Sequence, residues 1–104
     1  MADNSGLREA FLAYRNYVDR NGAERRLPGR MKRYSAEQVF FLSYASVWCA
    51  WESASQLRDE IRTDPHSPSY YRIIGPLSNS ADFVHHFQCP ADSQMNRVDK
   101  CILW

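Results

Sequence analysis

The segment TDPHSPSYYR, residues 63–72, sets one histidine between two candidate partners. Asp64 lies two positions before His66, and Arg72 lies six positions after it. A carboxylate beside an imidazole orients the ring and stabilises its cationic form. An imidazole held in this way stabilises an oxyanion, such as the one that forms when a carbonyl is attacked. A guanidinium grips a carbonyl or a carboxylate. Ser67-Pro68 fixes the turn between the two groups. On spacing alone the plainer reading is a structural loop, because ion pairs of this kind often do no chemistry.

Two other clusters invite chemistry. His85, His86 and Cys89 are close in sequence. Adjacent residues on a helix point about 100° apart, so the two imidazoles do not converge on one ion. Helix-surface histidines are the better reading. Residues 20–33 carry six basic side chains and one Glu, with no aromatic before Tyr34. Without interleaved aromatics or a surrounding binding module, this block reads as a solvated loop and not as a nucleic-acid site.

The elements that would position these groups are helical. With 104 residues the chain is long enough for one small domain, and its net charge is +1. That charge gives no global field for nucleic acid or membrane surfaces. No signal-like segment opens the sequence. The longest apolar run, Val39 to Trp51, is too short to span a bilayer. The three cysteines, Cys49, Cys89 and Cys101, are an odd number, so at least one lacks a partner within the chain. No N-x-S/T site is present.

Leu7, Phe11, Tyr14 and Val18 stripe one face of a first helix. Asn4 or Ser5 is expected to cap it, and Asn21-Gly22 to end it. A polar loop turns at Pro28-Gly29. Ser35 opens a second helix, with Gln38 at the capping-box position. This helix, carried through Val39–Trp51, is apolar on every side and so calls for cover on every side. A chain of this size covers such a helix poorly, which points to a larger body. A third helix is expected over 53–62, ended by Asp64-Pro65. A fourth is capped by Ser67 with Pro68 at its first position, and Gly75-Pro76 breaks it. A fifth runs over 80–88, and an irregular tail ends in Ile102, Leu103 and Trp104, an apolar end of the docking type.

The segment DPHSPSYYR resembles the Asp-x-His-Ser-Pro-x-x-x-Arg segment of the neprilysin and endothelin-converting enzyme family of zinc metallopeptidases. Further pieces agree in order along essentially the whole chain: ADNSGLREAFLAYRNY, LPG, FFLSYASVWC, RIIGPLSNSADFVHHFQC and the terminal CILW. RMKRYSAEQ and AWESASQ depart from the usual family wording, and Gln88 stands where a His often precedes the cysteine.

The resemblance implies an all-α fold, the C-terminal helical part of a zincin-like, thermolysin-like peptidase domain. It implies hydrolysis of extracellular peptides, with zinc activating water and polarising the scissile carbonyl. His66 would stabilise the tetrahedral oxyanion, and Asp64 would orient it. Arg72 would bind a carbonyl of the substrate backbone. Val47 and Trp48 would help line the pocket for the residue after the scissile bond. Asp3 matches the last position of the family's Glu-Asn-x-x-Asp pattern, with Met1 and Ala2 at its x positions, and would orient a ligating His.

The sequence contains no HExxH and lacks the third-ligand Glu. Residues 1–104 are therefore expected to form a partial peptidase domain whose zinc ligands lie upstream, so the chain alone should bind no zinc and cleave nothing. Cys49, Cys89 and Cys101 would pair with upstream cysteines. The parent would be secreted, or the ectodomain of a single-pass membrane protein. The alternative is a truncated, non-catalytic chain that acts by binding, or has no function.

Overall fold

The structure, a computed structural model, describes residues 2–101. The fold is all-α, built from helices α1 (Ala2–Asn21), α2 (Ala36–Val47), α3 (Ala54–Thr63), α4 (Ser69–Asn79) and α5 (Ala81–Phe87). A short 3-10 turn, Gly29–Arg33, lies between α1 and α2. Among the described residues there is no strand. Met1 and the apolar end Ile102–Trp104 lie outside the described residues.

Local chemistry explains most of the boundaries. α1 stops where Gly22, at φ +84°, turns the chain into a conformation that favours glycine. The Gly22 amide donates back to the Val18 carbonyl at 2.8 Å. The expected cap at Asn4 or Ser5 is wrong, because the helix is already running at Ala2. Asn4 instead accepts a hydrogen bond across the fold from Asn79 at 2.9 Å. α2 opens as expected, with a full capping box between Ser35 and Gln38. It ends at Val47 rather than Trp51. The Ser46 hydroxyl donates to the Ser43 carbonyl at 2.7 Å, which competes with the helical ladder there. Trp48 then leaves helical geometry as the C-cap.

α3 starts on a second capping box, Ser53 with Gln56. α4 differs from expectation at both ends. Pro68, not Ser67, occupies the N-cap position, and the Tyr71 and Arg72 amides both donate to its carbonyl. Gly75-Pro76 does not break the helix, which continues to Asn79 with Pro76 inside it. Ser80 caps α5 by accepting from the Phe83 amide, and Gln88 closes it in a left-handed conformation at φ 52°.

The core is a small aromatic cluster: Leu7 and Phe11 of α1, Phe41 of α2, Leu77 of α4 and Phe83 of α5. The Phe11 and Phe41 rings stack at 4.8 Å, and the edge of one ring meets the face of the other between Phe41 and Phe83 at 5.6 Å. Phe41 is the one fully buried side chain of α2; most of the helix is half-buried, and Ser43, Ser46 and Val47 stand exposed. Val47 is 72% exposed and Trp51 88%. α3 contributes no buried residue, and its apolar side chains Leu57 and Ile61 stand exposed.

Candidate active site

The residues singled out from the sequence fall into two charge pairs, and Arg72 anchors the first. It sits on the first turns of α4 and reaches Asp3 near the start of α1. Nε donates to one carboxylate oxygen at 2.9 Å and Nη2 to the other at 2.7 Å. This two-pronged contact fixes the guanidinium plane as well as its position. One face of that plane lies over the Trp48 ring, 3.6 Å from its centre. Both charged side chains are mostly shielded, Asp3 at 25% and Arg72 at 19% exposure. The Asp3 carboxyl is held below its ordinary value, first by its hydrogen bonds to Arg72, with burial opposing. Asp3 in turn pushes Arg72 further up.

α2 holds Arg72 from the other side. Tyr44 and Trp48 are four residues apart and share one face of the helix. Trp48 stacks on the guanidinium, and the Tyr44 hydroxyl donates to the Arg72 carbonyl at 2.7 Å. Three helices thus meet at one residue.

The second pair follows α3. Asp64 is the C-cap of that helix, held by its own amide to the Glu60 carbonyl at 2.8 Å. One carboxylate oxygen of Asp64 accepts from the His66 amide at 2.8 Å and meets His66 Nδ1 at 2.7 Å. The carboxyl lies below its ordinary value, first because of the His66 amide and then the His66 ring. An ionised carboxylate only accepts, so Nδ1 carries the proton in this contact. That leaves Nε2 as the nitrogen turned to other partners. The imidazole side chain is 65% exposed, open to a bound molecule. Charge is felt between the pairs, since His66 helps to lower Asp3, and Arg72 helps to lower Asp64.

Other expected residues lie apart from these contacts. Val47 follows Tyr44 on α2 but is largely exposed. Cys49 and Cys101 are exposed, Cys89 is half-buried, and the three carry no bond to one another. The reading of His85 and His86 as surface residues holds for His85 only. The His86 ring is half-buried and meets Phe11 edge-on at 5.7 Å, where it fills a gap beside the core. A cavity of about 200 Å³, lined by Leu7, Phe11, Pro76, Asn79 and Cys101, includes none of the paired residues.

A catalytic zinc needs three protein ligands. Among the described residues, no such set of three His, Cys, Asp or Glu side chains is gathered in one place. Among the described residues, no helix is long and apolar enough to cross a membrane.

Sequence reasoning missed Tyr44 and the pairing of Asp3 with Arg72. Pro76 inside a helix is a signal for Tyr44, because it frees one carbonyl that then needs a donor. No local signal marks the second contact, whose partners are 69 residues apart.

The sequence model of peptidase family M13 matches residues 1–103. The chain is 48% identical over its full length to endothelin-converting enzyme 1 of Cavia porcellus, of which it covers 14%. It is 46% identical to neprilysin of Oryctolagus cuniculus, again covering 14% of that protein. With neprilysin-11 of Caenorhabditis elegans the identity is 45% over the whole chain and 12% of the relative. A solved structure, the Haemonchus galactose containing glycoprotein complex, superposes with a TM-score of 0.85 at 38% identity. That match covers 90% of this chain and 16% of the other. The chain thus spans about one seventh of the curated relatives it resembles.

Proposed function

The chain belongs to peptidase family M13, and on that premise we propose that it supplies the oxyanion-binding and substrate-gripping side chains of a zinc metalloendopeptidase acting on extracellular peptides. The observation that carries this reading is the Asp64–His66 pair. Its carboxylate fixes one ring nitrogen at 2.7 Å and leaves the other turned to an open surface. When doubly protonated, that imidazole donates from Nε2 to the oxygen of a tetrahedral intermediate, where negative charge accumulates. Asp64 holds the ring in place and balances its charge.

Arg72 binds a backbone carbonyl of the peptide. Asp3 occupies Nε and Nη2, and the Nη1 edge is the part of the guanidinium outside that fork. Asp3 also orients a ligating histidine supplied by the rest of the domain, so one carboxylate ties the substrate grip to the metal site. Trp48 floors the guanidinium, and with Val47 it lines the pocket for the residue after the scissile bond. The zinc ligands belong to a part of the domain outside residues 1–104. The domain lies outside the cell, secreted or carried on a membrane anchor, and Cys49, Cys89 and Cys101 pair with cysteines outside this chain.

The test is made on the complete protein with a fluorogenic peptide. Cleavage should be abolished by a chelator and restored by zinc. Arg72→Ala should raise KM, because the carbonyl contact is present already in the bound substrate, and should lower kcat only to the extent that the contact strengthens in the transition state. Cleavage that a chelator leaves untouched, or an Arg72→Ala enzyme with unchanged KM, would overturn this function.

A further inference from the structure

We propose that Tyr44 is a positioning residue whose hydroxyl replaces the backbone donor that Pro76 removes from α4, and so fixes the peptide unit from which Arg72 reaches its partners.

In an α-helix the amide of each residue donates to the carbonyl four positions earlier. The carbonyl opposite residue 76 is that of Arg72. Proline has no amide hydrogen, and its ring crowds this same carbonyl, which is why an internal proline usually kinks or ends a helix. Here α4 continues for three residues beyond Pro76. Pro76 is buried and Arg72 is half-buried, so the freed carbonyl sits where an unmatched acceptor is costly. The Tyr44 hydroxyl meets it at 2.7 Å from the neighbouring helix.

The phenol is suited to this task. Its pKa is pushed up to about 12, first by burial and then by the Asp3 carboxylate. It therefore keeps its proton, and remains a donor, across the range in which a peptidase works. Tyr44 also sits one turn before Trp48, which stacks on the guanidinium of the same arginine. One face of α2 thus holds Arg72 at both ends, the carbonyl by Tyr44 and the side chain by Trp48. A carbonyl free to tilt would carry the Arg72 Cα with it and shift the guanidinium between Asp3 and Trp48.

The kinetic part of this inference rests on the proposed role of Arg72, while its backbone part does not. The test therefore has two readouts on the complete protein: amide exchange of α4 and peptide kinetics. Both are taken for wild type, Tyr44→Phe, Pro76→Ala and the double variant. Pro76→Ala restores the missing amide, so the two changes are coupled. Tyr44→Phe alone should speed exchange in α4 by roughly 5- to 100-fold, the effect of leaving one buried carbonyl without a donor, and should raise KM. In the Pro76→Ala background the same change should alter both readouts by less than about 2-fold, within the range of independent, uncoupled sites.

Equal losses with and without Pro76 would overturn the donor replacement. Coupled exchange with KM unmoved would leave Tyr44 a purely structural residue and overturn its positioning role. If wild type shows no chelator-sensitive cleavage, the peptidase reading and the positioning role that depends on it both fail, and the exchange cycle still decides the donor replacement.

Discussion

Removing the Phe41 ring should loosen the whole arginine grip from a distance. Phe41 is 1% exposed and packs against Phe11, Phe40 and Phe83 at ring separations of 4.8, 5.4 and 5.6 Å. It also lies on the same face of α2 as Tyr44 and Trp48, at steps of three and seven residues. Phe41→Ala withdraws about 100–150 Å² of apolar contact, worth about 2.5–4 kcal/mol at about 25 cal/mol per Å². The cavity left behind raises the total to about 3–5 kcal/mol. Read as local opening of α2 and α4 by amide exchange in the complete protein, that is about a hundred- to a few-thousandfold faster exchange. KM for a peptide should rise with it, because α2 seats both Tyr44 and Trp48. Phe41→Leu keeps most of the apolar volume and should cost less than half as much. Acceleration below about tenfold for Phe41→Ala would mean that the aromatic cluster does not seat α2, and the link from core to site would fail.

Acid should weaken the Asp3–Arg72 contact. The Asp3 carboxyl is lowered from 3.8, so its stabilising effect is present above that value and is lost as pH falls through the lower folded value. Amide protection at the α1–α4 contact, taken relative to the intrinsic exchange rate at each pH, should therefore fall below about pH 4, and Asp3→Asn should flatten that dependence; an unchanged acid limb in Asp3→Asn would refute it. Cys49, Cys89 and Cys101 should each be found by non-reducing mass spectrometry in disulfides with cysteines outside this chain. Free thiols at all three in the complete protein would refute that pairing. The 104-residue chain by itself should bind no zinc at catalytic strength and cleave no fluorogenic peptide; chelator-sensitive cleavage by the isolated chain would contradict it.

Features encoded within a few residues were legible in the sequence. Ser35 with Gln38 marked a helix start, and Asn21-Gly22 a helix end, because the partners of each cap lie within one turn. Asp64 with His66 was legible for the same reason, being an i, i+2 contact around one carboxylate. Reading failed where a distant group decides. Pro76 obeys the local rule that proline frees a carbonyl, but Tyr44 satisfies that carbonyl from another helix and α4 continues. Asn4 could cap a helix by type, yet its side chain is engaged by Asn79. Arg72 suited a carboxylate by type, and only the fold identifies that carboxylate as Asp3. The fold class was legible from helical periodicity and from the resemblance together, whereas the end of α2 at Val47 depends on how Ser46 and Trp48 are used.

The oxyanion role of His66 is the centre of this account, and one variant of the complete protein addresses it directly. His66→Ala should lower kcat by about 10²–10³, the usual effect of losing one oxyanion donor. KM should change little, because the contact forms only as charge develops in the transition state. Bound zinc, measured on the same sample, should equal that of wild type, because His66 is not among the ligands proposed for it. Full kcat in His66→Ala, or a loss of activity that follows a loss of zinc or of fold, would contradict the account and leave His66 a loop residue.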